Sequence, residues 1–194
     1  AAYTCDAGYT KAGADSVCGV AGWSSAPSCN ATPNYCGSPA IVANASAPSV
    51  SGGAAGGATN SLGATSSVTC TTGFVKTGAD QVCTAGGTWS AAPVCASDNS
   101  FCGGAPPTVT NSASVTVSGG VGGGSTTSFN ATASYTCNVG YSKTGADSTC
   151  QATHLWSTPP TCDVIATFCA SAPPSVLHAG APSVSGGIAG SGTQ

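Results

Sequence analysis

The residues able to do chemistry in this 194-residue chain are twelve cysteines, two histidines, six aspartates and three lysines. Cysteine dominates. Zinc sites draw on cysteine pairs two to four residues apart, whereas the nearest pairs here, Cys29/Cys36, Cys95/Cys102 and Cys162/Cys169, have six residues between them. That spacing points away from a metal and toward disulfides, which persist in oxidising, extracellular compartments. No metal and no cofactor is expected. Catalysis finds little material. His154 and His178 occupy unrelated positions and read as exposed side chains. Asp147, His154 and Asp163 could be neighbours, but no nucleophile motif accompanies them. The aspartates stand singly, which leaves paired-carboxylate chemistry and calcium loops without ligands. The chain reads as a non-enzyme.

The other candidate chemistry is covalent modification. Asn30-Ala-Thr32, Asn44-Ala-Ser46 and Asn130-Ala-Thr132 are N-glycosylation acceptor sequences. The 28 serines and 25 threonines, interleaved with Pro and Ala, suit O-linked sugar as well. Physical need points the same way. Charged residues make up 5% of the chain, against about 25% in an ordinary soluble domain. Low net charge favours association and precipitation, and a sugar coat would supply the missing hydration.

Composition bounds the rest. Three Lys, no Arg and a net charge of −3 give no basic surface, so nucleic acid is not an expected partner. No apolar run approaches the length of a membrane span. The chain opens without Met or a leader and is expected to be a mature product or an internal fragment. Leu, Ile, Val and Phe are scarce, while Ala, Gly, Ser and Thr make up most of the sequence. Such an inventory cannot fill one large core, so disulfides must stabilise small ones.

These residues recur with a period of about 66 positions. Cys5, Cys70 and Cys137 are in phase, as are Cys18/Cys83/Cys150, Cys29/Cys95/Cys162 and Cys36/Cys102/Cys169. Trp23, Trp89 and Trp156 each stand six before a cysteine. Gly8-Tyr9, Gly73-Phe74 and Gly140-Tyr141 each begin three after one. All three lysines, Lys11, Lys76 and Lys143, precede an aspartate (Asp15, Asp80, Asp147) by four. This slot reads as an ion pair around a turn. Thr108–Val117, with Val109, Val115 and Val117 in alternation, reads as a strand, as do 134–137 and 164–168. Gly-rich stretches at Gly52-Gly53, Gly119-Gly120 and Gly122–Gly124 break the strands. No helical period is sustained. Spacing alone leaves three connectivities for four cysteines.

The order Cys, Cys-x-x-Gly-aromatic, Cys, Trp, Pro-x-Cys resembles the sushi domain, also called the complement control protein module or short consensus repeat. The best copy runs from Cys102 through Ala105-Pro106-Pro107, Tyr135-Thr-Cys137, Gly140-Tyr141, Cys150 and Trp156 to Pro160-Thr-Cys162, and a second runs from Cys36 to Cys95. The resemblance implies an all-β chain of tandem, disulfide-stapled modules forming an elongated rod, with the tryptophans in the cores. It implies first-to-third and second-to-fourth pairing: Cys36–Cys83, Cys70–Cys95, Cys102–Cys150, Cys137–Cys162 and, in the leading part, Cys5–Cys29. The expected divisions are a C-terminal part of a split module at 1–29, modules at 36–95 and 102–162, and an N-terminal part of a split module at 169–194.

Cys18 then takes a third-cysteine slot and Cys169 a first-cysteine slot. One expectation is that copies join head to tail, residues 169–194 of one completing 1–29 of the next through an intermolecular Cys18–Cys169 bond. A contact of this kind that does not close gives a filament. The other is that the chain is an excerpt of a longer array. The expected function is a structural repeat of a secreted, glycosylated fibre or stalk, with other copies and sugars as partners. The alternative is an adhesion or ligand-binding ectodomain.

Overall fold

The computed structural model describes residues 1–169 and 171–187. It contains strands, bends and turns, with no helix among the described residues. The chain divides into two compact units, Ala1–Ala96 and Ser97–Gln194.

The first unit opens with β1 (Tyr9–Ala12), β2 (Cys18–Gly19), β3 (Gly22–Trp23) and β4 (Ser28–Ala31). β1 pairs antiparallel with β4, setting Lys11 opposite Cys29, and β2–β3 form a tight hairpin. Then come β5 (Ser49–Gly52), β6 (Ala64–Ser67), β7 (Phe74–Thr77), β8 (Gln81–Val82) and β9 (Val94–Ser97). They make a three-stranded sheet, β5-β6-β8, and a ribbon, β7-β9. The second unit repeats this plan. β10 (Ser112–Gly119), β11 (Ala131–Cys137) and β13 (Ser148–Thr149) form its sheet, and β12 (Tyr141–Thr144) pairs with β14 (Thr161–Val164).

Strand edges differ from the sequence expectation for local reasons. Asn111 takes left-handed backbone (φ 63°) and holds β10 back to Ser112. β14 covers Thr161–Val164 rather than 164–168, because its antiparallel partner β12 begins only at Tyr141, opposite Val164, and the next amide, of Ile165, bonds the Gly140 carbonyl.

The cores are small and built around sulfur. In the first unit one cluster joins Cys36, Ala64 and Cys83, with Tyr35, Val50 and Trp89 against it. A second joins Val42, Val68 and Cys95. In the second unit Phe101, Cys102, Ala131 and Cys150 make the cluster, with Val117, Phe129 and Trp156 packed on it. Alanine fits here because a disulfide and an indole already fill the space; Ala64 and Ala131 are fully buried. The disulfides close sequence separations of 47 and 25 in one module and 48 and 25 in the other. Chain entropy makes such closures worth about 4 and about 3.5 kcal/mol.

The Gly-rich stretches are ordered loops rather than simple strand breaks. Ser61 and Ser128 are fully buried at their centres. Ser128 Oγ accepts the Gly122 amide at 2.9 Å, and Ser61 Oγ accepts the Ala55 amide at 3.1 Å. Thr126 and Thr59 hydroxyls bond the same serines and a glycine carbonyl in each loop. Residues 181–187 repeat Ala47–Gly53 residue for residue. They form no strand, and Gly186 and Gly187 keep the positive φ of Gly52 and Gly53.

Candidate functional site

Repetition creates recurring positions rather than one cleft, and each has a local cause. The Lys–Asp slot is an ion pair of 2.9 Å in all three copies. Each lysine stands on a strand (β1, β7 or β12), and each aspartate follows a glycine turn. The carboxylates also accept from the chain they face. Asp15 takes the Tyr3 amide, Asp147 the Tyr135 amide, and Asp80 the Ser67 hydroxyl. The lysine hydrogen bond, first, holds each of these carboxyls below the usual carboxylate range. The slot therefore fastens a turn to the facing segment; its cation is already satisfied.

The tryptophans divide. Trp89 and Trp156 are half-buried, and their indole N–H groups donate to the Gly37 and Gly104 carbonyls at 3.1 and 3.2 Å. Trp23 is 64% exposed, so the core reading fails for this copy. Residues 1–29 contain no counterpart of the segment that covers the other two indoles.

Among the described residues five disulfides are formed: Cys5–Cys29, Cys36–Cys83, Cys70–Cys95, Cys102–Cys150 and Cys137–Cys162. Cys18 and Cys169 are exposed, and Cys18 is a free thiol. Its equivalents Cys83 and Cys150 are among the most buried side chains.

The structure gives Asp147, His154 and Asp163 separate partners. Asp147 holds Lys143. His154 stacks on Phe101 with ring centroids 3.9 Å apart, and its Nδ1 lies 2.9 Å from the Phe101 carbonyl. Asp163 accepts the Thr161 hydroxyl. His178 is exposed at a turn. Tyr135, buried, donates its hydroxyl to the Pro107 carbonyl at 2.7 Å. Burial, and then the Asp147 charge, push its pKa up from the ordinary tyrosine value. Among the described residues no group of three or more His, Cys, Asp or Glu is arranged to hold a metal, and no helix is long and apolar enough to cross a membrane.

All three acceptor asparagines are exposed. Asn30 lies on β4, while Asn44 and Asn130 occupy left-handed backbone at φ 57° and 64°. Beside Asn44 a groove of about 220 Å³ runs between Ile41–Ala43 and Ala92–Cys95. A groove of about 470 Å³ occupies the equivalent place in the second unit, between Thr108–Thr110 and Thr158–Asp163. Sequence reasoning missed both; their walls are the residues just before Asn44 or Asn111 and the Pro-x-Cys segment.

Residues 36–95 and 104–162 match the Sushi repeat (SCR repeat) family. Among curated proteins, the Sushi, von Willebrand factor type A, EGF and pentraxin domain-containing protein 1 of Rattus norvegicus is 34% identical over 168 residues, covering 82% of this chain. The Mus musculus protein of the same name is 33% identical over 168 residues, with the same coverage. This chain spans 4% of the length of each.

Proposed function

The chain belongs to the sushi-repeat family, and on that premise we propose that it is a non-catalytic structural array of an extracellular, glycosylated fibre or stalk. Sushi modules work as extracellular adhesion, ligand-binding or structural units, and disulfide-dense small domains are characteristic of secreted settings. The observation that carries the structural reading is the Lys–Asp slot. Each lysine is consumed by the same internal ion pair, so neither complete module offers a cationic patch to a ligand. A recognition module distinguishes itself by charged or aromatic anchors on its surface; these modules repeat one scaffold.

Two finer parts belong to this reading. Sugars on Asn30, Asn44 and Asn130, and on the abundant hydroxyls, hydrate a surface that has few charges. Copies join head to tail, with 169–194 of one chain completing 1–29 of the next. In support, Cys18 is a free surface thiol at a position that is a buried disulfide in both complete modules. Its partner in this reading is Cys169 of a neighbouring copy.

The test uses the full chain secreted from a eukaryotic host. Non-reducing electrophoresis is expected to give a ladder of covalent multimers that collapses in Cys18→Ser, and electron microscopy of the wild type to give filaments. Wild type that runs only as monomer refutes head-to-tail joining. Saturable binding of one ligand, abolished by changes in one module alone, favours the adhesion reading over the structural one.

A further inference from the structure

The two complete modules provide an internal comparison at their grooves. The floor is the same in kind: Val42 and Cys95 are buried in the module that carries Asn44, and Cys162 in the other. The rims differ. Ile41 is 87% and Val94 60% exposed, and in the second groove threonines Thr108 and Thr161 stand in their places. Ala43 likewise corresponds to Thr110. The chain holds only three isoleucines, and one of them stands almost fully in water at this rim.

The residue that follows each first wall is an asparagine in left-handed backbone, Asn44 or Asn111. Only the apolar groove has an acceptor sequence there. Asn44-Ala45-Ser46 becomes Asn111-Ser112-Ala113, with Ala113 in the place of Ser46. At this position apolar rim and acceptor sequence therefore occur together in one module and are absent together from the other, whose acceptor Asn130 lies outside the residues lining its groove. Exposed apolar patches on soluble proteins mark surfaces that something covers. Here the covering group has an attachment point one residue from the wall.

We propose that an N-linked glycan on Asn44 lies along the groove beside Ile41 and Val94 and covers it. The proposal rests on the reading that this site is glycosylated. Attachment forms the bond from Asn44 Nδ2 to C1 of the first sugar. The pyrophosphate of a lipid-linked oligosaccharide donor leaves, and Nδ2 gives up one proton. N-acetylglucosamine suits the surface, because its ring C–H face and acetyl methyl are apolar while its hydroxyls stay in water. The groove is open and shallow, as a sugar laid flat requires. In the other module the threonine hydroxyls hydrate the rim themselves.

The test compares secreted full-length wild type, Ser46→Ala, Ser46→Thr, Ile41→Thr/Val94→Thr, and the triple variant with Ser46→Ala. Ser46→Ala copies the other module and removes the acceptor sequence together with the hydroxyl that accepts the Thr69 amide at 3.1 Å. Ser46→Thr preserves both, so the threonine-rimmed background separates the loss of sugar from the loss of that bond. Mass spectrometry reads Asn44 occupancy. Fluorescence of an apolar-surface dye, and amide exchange of peptides covering 41–43 and 92–95, read the groove. The expected result is an occupied Asn44, a severalfold rise in dye signal and exchange in Ser46→Ala, wild-type behaviour in Ser46→Thr, and no effect of Ser46→Ala in the threonine-rimmed background. An unoccupied Asn44 refutes the glycosylation reading and the proposal with it. An occupied Asn44 whose loss leaves dye and exchange unchanged, or changes them equally in both backgrounds, refutes the groove proposal alone. Self-association of wild type that Ile41→Thr/Val94→Thr abolishes makes a second copy the occupant and overturns it.

Discussion

Gly119 and Gly120 separate two costs that are usually confounded. They are neighbours with nearly equal positive φ, 75° and 73°. Replacing either by Ala puts an L-residue into left-handed backbone, at about 1–2 kcal/mol. The lost freedom of the unfolded chain offsets this by about 0.4–1 kcal/mol. At Gly119 nothing lies within 4 Å of the new Cβ, so the net cost is about 1 kcal/mol. At Gly120 the Cβ would meet Ser128 Oγ at 2.6 Å, the Ala131 nitrogen at 2.7 Å and the Phe129 oxygen at 2.8 Å. Two of these are backbone atoms, and the loop is fastened by the buried Ser128. Restoring ordinary contact distance means moving that backbone by nearly an ångström, an overpacking cost of about 1–3 kcal/mol more. The module containing Gly120→Ala should therefore unfold at a lower denaturant concentration than that containing Gly119→Ala. Amide exchange of 102–162 peptides in the full chain reads the difference. Gly52 and Gly53 repeat the contrast, with open space at Gly52 and Ser61 Oγ 2.5 Å from a Cβ at Gly53. Equal destabilisation at the two positions of either pair would refute the steric argument and leave only backbone conformation.

Ser66 is buried with its hydroxyl unpartnered, while the equivalent Ala133 is fully buried without one. An orphaned buried polar group costs about 1–3 kcal/mol, so Ser66→Ala should stabilise its module by about 1 kcal/mol in a denaturant midpoint; a lower midpoint would contradict this. The lowered carboxyls of Asp15, Asp80 and Asp147 contribute stability that is fully present above the ordinary value of 3.8 and lost as pH falls through the lowered one. The Tm should therefore fall only below about pH 4 on their account, and Asp147→Asn should flatten that limb for its module. Tyr135, raised by burial, works in the opposite direction. Its contribution is present below its ordinary value of 10.0 and lost as pH rises through the raised one.

The cysteine, tryptophan and Lys–Asp slots were legible in the sequence because each is a rare residue at fixed spacing. Six of the nine charges lie in one slot, and a pattern that sparse cannot hide in noise. The buried serines were hidden for the opposite reason. Ser61 and Ser128 are two of 28, and nothing marks them except their constant distance from Gly53 and Gly120. Their role depends on a loop that folds back over them, and a strand-and-breaker reading does not contain that loop. Trp23 shows a different limit. A slot fixes the residue type, but burial depends on what lies over it, and Trp89 and Trp156 owe theirs to segments reaching Gly37 and Gly104. The grooves were illegible because their two walls come from segments about 50 residues apart.

The placement of the lysines has a further consequence, for cutting. A protease that cleaves after basic residues finds three sites in the chain: Lys11, Lys76 and Lys143. Each lies inside a loop closed by a disulfide, Cys5–Cys29, Cys70–Cys95 or Cys137–Cys162. Lys11 is hydrogen-bond registered to Cys29, and Lys143 to Cys162. A nick at any of the three opens the backbone but leaves both sides tied through sulfur. Severing the molecule this way takes a reductant as well as an enzyme, so damage at its basic residues does not shorten it.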